Sequence, residues 1–206
     1  MSFVLREELI TLNGQEIQAE AFPSLLERHL NTVGGTLALE SQAARLRAAA
    51  FGNEQDVQQF VREVCRWGGY AGIGGRIVYQ NPPRSICDAF QTACQYLDDC
   101  PAAICEAMRA VNALKQLQRI SFASKHLRFL RPDLCPVLDS LLSAWLAYPL
   151  NGDGYVRFAT DCQEIARALD ARDIPLPNPL KGRKWRAADV EMALFARRQG
   201  WEESYA

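Results

Sequence analysis

The chain has 206 residues, 49% of them hydrophobic, with a formal net charge of −1 and a sequence pI near 6.2. This length and composition allow a sizeable buried core. The near-neutral charge counts against the strongly basic composition that many nucleic-acid-binding proteins have. Because the sequence contains no run of about 18 apolar residues, we expect no membrane-spanning helix.

The cysteines and the N-terminal residues favour a cytoplasmic protein. Seven cysteines, an odd number, indicate free thiols, and the first residues carry acids where an export signal needs an apolar run. Cys87, Cys94, Cys100 and Cys105 lack Cys-x-x-Cys spacing. We interpret them as buried structural thiols, and we expect neither a metal site nor a cofactor.

The pattern along the chain predicts a small N-terminal β-hairpin followed by helices. Residues 8–18, "ELITLNGQEIQ", alternate apolar and polar residues around Asn13-Gly14, a pair that suits the two positive-φ positions of a tight turn. Apolar residues spaced by three and four then predict helices in "FPSLLERHL", "TLALESQAARLRAAAF", "NEQDVQQFVREVCRW", "SICDAFQTACQYL", "PAAICEAMRAVNALKQL", "SFASKHLRFL", "LDSLLSAWLAY", "GYVRFATDCQEIARALDAR" and "AADVEMALFARRQ". Asn53 suits a helix N-cap, and Gly200 suits a helix end.

We therefore predict a mainly α protein. Residues 1–206 would form a single compact helical domain. Within it, two lobes of about residues 1–80 plus 150–206 and residues 81–149 would enclose a cleft.

The glycine-rich segment 66–77, "RWGGYAGIGGRI", leaves two interpretations open. It lacks the GK[ST] of a phosphate-binding loop and follows a helix rather than a strand, so a nucleotide site is not favoured. It is either a flexible connector between the lobes or a ligand-facing loop. In the second case Trp67 and Tyr70 offer stacking surfaces and Arg76 offers a charge.

Charge is segregated along the chain despite the neutral total. The first 63 residues hold nine acids and five bases, whereas residues 113–131 hold five bases and no acid. Residues 181–186, "KGRKWR", add four cations around Trp185. This segregation predicts one basic face.

Residues 119–142, "RISFASKHLRFLRPDLCPVLDSLL", place a lysine on one helix and an aspartate at the start of the next. With Ser121 as N-cap, an apolar stripe faces the core and Lys125 lies at its border, on the face that also carries Arg128. The stripe consists of Phe122, His126, Phe129 and Leu130. A second cation and partial burial both lower the pKa of an amine, which makes Lys125 a candidate nucleophile.

Asp139 is the natural N-cap of the second helix, since Pro132 ends the first one after Arg131. A carboxylate in this position is held ionised by backbone N–H groups and the helix dipole. The amine, or a water, would attack one side of a carbon while the carboxylate stabilises the developing cation. The alternative is an ordinary solvated lysine and an ordinary helix cap.

This segment resembles the helix–hairpin–helix DNA glycosylase superfamily, in particular its 8-oxoguanine DNA glycosylase-like branch. "CPVLDSLL" is similar to the family's apolar segment that ends in the catalytic aspartate, and "ISFASKHLRFLRP" to its lysine-bearing helix. The resemblance implies a two-lobed helical bundle of the helix–hairpin–helix glycosylase type. It also implies that Asp139 stabilises an oxocarbenium-like sugar. The implied substrate is double-stranded DNA with a damaged or modified base, bound by a monomer.

Two features of the sequence depart from the family pattern. The family's lysine-to-aspartate spacing is matched by Ser121, 18 residues before Asp139, rather than by Lys125, 14 residues before it. Either the connection is shortened and Lys125 attacks, or Ser121 replaces the lysine and water attacks while Lys125 contacts substrate or DNA. The family's hairpin glycines are absent from "LQRIS", where Arg119 and the helix N-terminus could replace part of the phosphate contact.

The resemblance also implies further contacts with DNA. A flipped base would enter the cleft, with Ser121, Trp67, Tyr70 and Trp185 as pocket or stacking residues. Asp189 and Glu191 of the last helix are candidates for hydrogen bonds to the base. Phosphate contacts would come from Lys115, Arg119, Arg128, Lys181, Arg183, Lys184 and Arg186.

The implied function is a DNA N-glycosylase of repair or defence, with or without strand cleavage at the abasic site. One alternative is a non-catalytic DNA-binding or interaction protein on the same fold. Another is a helical interaction protein whose basic residues are only a solvated face.

Overall fold

The computed structural model describes residues 3–6 and 8–201. It begins with a three-stranded antiparallel sheet in the order β1 (Phe3–Arg6), β2 (Leu9–Leu12) and β3 (Gln15–Gln18). Asn13 and Gly14 connect β2 to β3 with φ angles of 48° and 83°, the positive values that such a turn requires. The predicted hairpin is confirmed, and β1 is a further strand that the sequence pattern did not indicate.

Ten α-helices follow within the described residues. They are α1 (Phe22–Thr32), α2 (Thr36–Ala48), α3 (Glu54–Trp67), α4 (Ala71–Gln80), α5 (Pro83–Asp99), α6 (Ile104–Asn112), α7 (Ile120–Leu130), α8 (Ser140–Leu146), α9 (Gly152–Asp170) and α10 (Ala187–Arg198). The mainly α fold class is confirmed. No helix in the described part of the chain is both long and apolar enough to cross a membrane.

Local capping signals account for several helix ends. The Asn53 side chain accepts from the backbone N–H groups of residues 55 and 56 at 3.0 and 3.3 Å. Gly200, with φ of 67°, follows α10 as expected. Helix α7 stops before Pro132, but it begins at Ile120 with Arg119 as the N-cap residue. Ser121 therefore lies in the first turn of α7 and is not the cap that we predicted.

Every helix contributes buried apolar side chains to one continuous core. Helix α1 packs against α10, α3 against α4, and α6 against both α5 and α7. The sheet is attached through Asn13, whose side-chain amide donates to the carbonyl of Leu146 at 2.7 Å. Cys87 and Cys94 are buried as predicted. The prediction is wrong for Cys100, which is exposed beyond the last turn of α5, and for Cys105, which is only partly buried.

The glycine-rich segment is mostly helix and not the loop that we predicted, because α4 begins at residue 71 and only residues 68–70 connect it to α3. Gly74 explains how a glycine-rich helix is tolerated here. A Cβ atom at this position would lie 3.1 Å from both Arg62 Cα and Cys65 Cβ. The missing side chain lets α4 approach α3 closely, and this packing outweighs the poor helix propensity of glycine.

Helices α6 and α7 pack against each other, and their connection, a hairpin of residues 113–119, is fixed by α4. The Asn81 side chain accepts from Lys115 N at 2.9 Å and donates to the carbonyls of Lys115 and Ile77 at 3.1 and 2.8 Å. Gln116 has a φ of 73°, a conformation uncommon outside glycine. The positive-φ position of this hairpin is thus filled without glycine.

We expect Asn81→Ala to lower the free energy of unfolding by about 1–3 kcal/mol, because the backbone N–H and carbonyl of Lys115 lose the part-buried side-chain bonds that tie the hairpin to α4. Chemical denaturation of the variant and the wild type measures the difference. Asn31→Ala, at an exposed position of α1, is the matched control and should change stability little. Equal stability of both variants would contradict the anchoring role of Asn81.

Candidate active site

Helix α7 is buried on all sides, because every residue from Ala123 to Leu130 is inaccessible or nearly so. The predicted division into an apolar face and a more exposed face with Lys125 and Arg128 is therefore wrong. Lys125 is only 9% exposed, and its Nζ donates to the Ser121 carbonyl at 3.2 Å. The contact between Ser121 and Lys125 is therefore made by the backbone carbonyl of Ser121.

The Lys125 side chain packs beside two residues of the connection between α3 and α4, Gly68 and Tyr70. Its Nζ lies 5.6 Å from the centroid of the Tyr70 ring, and that ring stacks on Phe122 at 4.5 Å between centroids. A Cβ atom at Gly68 would lie 2.3 Å from Tyr70 Cε1 and 2.6 Å from Lys125 Cδ. Gly68 therefore leaves the space that these two side chains occupy.

Burial lowers the pKa of Lys125, because the charged ammonium loses solvation. The negative charges of Asp139 and Glu191 oppose this effect and raise the pKa in part. The balance is an amine that loses its proton more readily than an exposed lysine. The expectation of a desolvated lysine is confirmed, with burial as the cause rather than a neighbouring cation.

Asp139 is the N-cap of α8, as predicted, and its Oδ1 accepts from the N–H groups of Leu141 and Leu142 at 3.0 Å each. The residue before it is tied to α7, since Leu138 N donates to the buried Ser124 Oγ at 3.3 Å. This bond fixes the carboxylate relative to the helix that carries Lys125. The two predicted catalytic residues are therefore brought into one electrostatic neighbourhood.

Glu191 is a third ionisable group at this place. It is 3% exposed, and its Oε2 has no hydrogen-bond partner among the described residues. Burial raises the pKa of Glu191 to about 8, with Asp139 adding to the rise and Arg128 and Lys125 opposing it. The raised pKa favours the protonated form of the side chain, which is coupled electrostatically to Lys125 and Asp139.

Arg128 is fully buried, which contradicts its predicted role in phosphate binding. Its Nη2 lies 2.9 Å from Glu40 Oε1 and 3.2 Å from the Met192 sulfur. The guanidinium also lies over the rings of Phe129 and Trp67, 4.4 and 5.7 Å from their centroids. A side chain held in this way inside the protein has no access to a DNA backbone.

Arg183 and Arg186 are also engaged within the chain, contrary to the prediction of free phosphate ligands. Arg183 bonds the buried carboxylate of Asp189 at 2.6 and 2.9 Å. Arg186 bonds Asp189 at 3.0 Å and Glu40 at 2.9 Å. Asp189 is thereby committed to ion pairs rather than to a base. The predicted cations that remain exposed are Lys115, Arg119, Lys181 and Lys184.

The three predicted stacking aromatics have different surroundings. Trp185 is 5% exposed and donates its ring N–H to the Ile174 carbonyl at 2.8 Å, so it belongs to the core and not to a base pocket. Trp67 donates to Thr36 Oγ1 at 2.9 Å and lines a cleft of about 770 Å³ whose walls include neither Lys125 nor Asp139. Tyr70 is the predicted aromatic that lies beside Lys125.

Comparisons of this chain with protein-family models, with curated proteins and with solved structures found no match. Among the described residues, no group of three or more His, Cys, Asp or Glu side chains is arranged to hold a metal ion.

Sequence reasoning missed two residues that position the site. Ser124 could have been noticed as a hydroxyl directly before Lys125, but its bond to Leu138 depends on how the loop returns. Gly68 stands at the end of α3, where a glycine is common for reasons of capping alone. Nothing in the neighbouring sequence therefore indicates that Gly68 makes room for the Tyr70 and Lys125 side chains.

We expect Glu40→Ala to lower the free energy of unfolding by about 3–5 kcal/mol, because it leaves the buried Arg128 guanidinium without its anion. Denaturant titration measures the loss. The control, Glu27→Ala, removes an exposed carboxylate of α1 and should stay within about 0.5 kcal/mol of the wild type. A small effect at Glu40 would show that Arg128 does not depend on this pair.

We expect Glu191→Gln to gain stability relative to the wild type as the pH rises from 4.5 to about 8. In that window the folded wild type holds a proton that the unfolded chain has lost, so its stability falls by up to about 1.4 kcal/mol per pH unit. Denaturation curves of both proteins across this range test the sign. Parallel curves, like those expected for the exposed-site variant Glu27→Gln, would contradict a raised Glu191 pKa.

Proposed function

We propose that this protein is a DNA N-glycosylase that removes a damaged or modified base. The observation that carries the proposal is the buried Lys125 amine, whose pKa is lowered, in the electrostatic field of the Asp139 carboxylate that caps α8. Lys125 lies on α7, directly after the α6–α7 hairpin, and Asp139 caps the next helix, which is the order that the sequence resemblance implies for a glycosylase site.

In this proposal Asp139 and Lys125 act on the anomeric carbon of a flipped nucleotide. The bond from this carbon to the base breaks, and the base leaves with the electron pair and takes up a proton. The carboxylate of Asp139 stabilises the positive charge that develops on the sugar. Its two bonds to backbone N–H groups hold it in place, so that it need not reorganise during the reaction.

The neutral form of the Lys125 amine supplies the lone pair that would attack the anomeric carbon. Attack gives a covalent amine adduct, and ring opening converts it to an imine between Lys125 and the sugar. If water attacks instead, Lys125 contacts the substrate and no adduct forms. The raised pKa of Glu191 reduces the negative charge that would hold the proton on the amine.

A non-catalytic DNA-binding or interaction protein is the second candidate. The intramolecular ion pairs of Arg128, Arg183 and Arg186 favour the interaction-protein form of this candidate, because they reduce the positive charge available to phosphates. The sequence pI near 6.2 agrees with this reading.

We expect Asp139→Asn to lose base release by a factor of about 100 or more while the protein stays folded, because asparagine caps a helix as well as aspartate does. Duplexes with oxidised, alkylated or otherwise modified bases are incubated with each protein, and freed base is detected by mass spectrometry. Unchanged release in Asp139→Asn would exclude the proposed role of the carboxylate.

Borohydride trapping in the same reactions tests the nucleophile. We expect a covalent protein–DNA adduct that Lys125→Met abolishes and that Arg84→Met, at an exposed cation paired with Asp88, retains. Base release without any adduct would assign the attack to water. Salt-sensitive DNA binding without release from any substrate would support the non-catalytic candidate instead.

A further inference from the structure

Tyr79, near the end of α4, is an unusually exposed aromatic residue. It is 90% exposed, against 43% for Tyr96, the other strongly exposed aromatic residue in the described part of the chain. Aromatic side chains supply much of the packing energy of a core or an interface, and their flat faces stack on other rings. A tyrosine left in solvent on an ordered helix is therefore available to a partner.

The rest of the exposed face of α4 also lacks an explanation within the chain. Gly72, Gly75 and Arg76 share this surface with Tyr79. Cβ atoms at Gly72 and Gly75 would meet nothing within 4 Å, unlike Gly74, which packs on α3. Glycine is a poor helix former, so two exposed glycines weaken α4 without improving its packing. What they provide is a surface that the backbone of a partner can approach closely.

The cations around this face are not neutralised within the described residues. Among residues 3–6 and 8–201, no carboxylate lies within 4 Å of the charged groups of Arg62, Arg76, Lys115 or Arg119. The buried Arg128 and the nearby surface residue Arg84 are both paired, Arg84 with Asp88 at 2.9 Å. The surface around α4 and the hairpin therefore carries four cations that no carboxylate of the described residues neutralises.

Helix α4 and the hairpin form one continuous surface that ends at the candidate active site. Asn81 ties the end of α4 to Lys115, and Gln116 donates to Gln80 at 2.9 Å. At the other end of α4, Tyr70 stacks on Phe122 of α7 and lies beside Lys125. With ten residues, α4 spans about 15 Å, so the surface runs from the hairpin to the amine.

We propose that the exposed face of α4, together with the hairpin, binds duplex DNA and that Tyr79 stacks on a base where the duplex is unstacked. The choice of duplex DNA as occupant rests on the proposed function. Charge complementarity favours a polyanion, and the exposed ring favours one that presents flat bases. The open glycines let a sugar–phosphate backbone lie against the helix.

The first experiment measures equilibrium binding by fluorescence anisotropy to an intact duplex and to a duplex with an abasic-site analogue. We expect Tyr79→Ala to bind the abasic duplex on the order of tenfold more weakly and to lose most of its preference over the intact one. Tyr79→Trp should restore binding, and Tyr96→Ala is the matched control. Equal losses in both alanine variants, or none in Tyr79→Ala, would overturn the assignment.

The second experiment separates direct phosphate binding from a structural role. In Arg76→Gln and Lys115→Gln, the slope of log binding constant against log salt concentration should fall by about one for each phosphate that the variant no longer neutralises. Arg84→Gln, which removes a paired cation, should leave the slope unchanged. Gly75→Gln should stabilise the fold yet weaken binding, whereas a purely structural glycine would not combine these effects.

The outcomes distinguish this surface from the catalytic proposal. Suppose that bases are released but that none of the substitutions at positions 75, 76, 79 and 115 changes DNA binding. The glycosylase proposal would then stand, and the proposed DNA-binding surface would be overturned. Binding that depends on Tyr79 without release of any base would support the surface and count against the glycosylase. Tighter binding to polyglutamate than to either duplex would assign the face to an acidic protein and overturn the DNA assignment.

Discussion

The buried ion-pair network around Glu40 is the interaction on which the arrangement of the site depends. The Glu40 carboxylate, on α2, binds Arg128 of α7 and Arg186 at the start of α10, each at 2.9 Å. Three helices that are far apart in sequence are thereby fixed relative to one another. One of them carries Lys125 and another carries Glu191. Because an unpaired buried charge is strongly destabilising, this network tolerates few alternative arrangements.

The complete burial of α7 gives Lys125 its chemical character. An ammonium on an ordinary surface helix would be solvated and protonated at neutral pH. Here Lys125 lies beside the Tyr70 ring and Gly68 with little exposure to solvent, and the charges of Asp139 and Glu191 act on its pKa. The same burial keeps Glu191 protonated, so two groups of opposite type both shift towards their neutral forms. An amine with a lowered pKa in the electrostatic field of a fixed carboxylate is the feature that favours a nucleophilic or proton-transfer role.

The buried network also changes how the basic residues are interpreted. The arginines that looked most suited to phosphate binding bind Glu40 and Asp189 and hold the last helix in place. Four cations that remain available, Arg62, Arg76, Lys115 and Arg119, lie around α4 and the hairpin, where Tyr79 is exposed. The division of cations into structural and available ones links the candidate site to the proposed DNA surface. It places that surface on the side of the molecule where Tyr70 and Lys125 meet.

The sequence by itself determined the features that arise from neighbouring residues. Asn13-Gly14 specifies the hairpin turn, Asn53 and Asp139 cap the helices that follow them, and Pro132 ends α7, since each acts within a few residues of its own backbone. Only the tertiary structure decided which charges are buried and paired. Glu40 and Arg128 are 88 residues apart, and periodicity on one helix contains no information about a partner at that distance. For the same reason, Lys125 was recognised as a candidate, whereas the burial of α7 on every side and the exposure of Tyr79 were not.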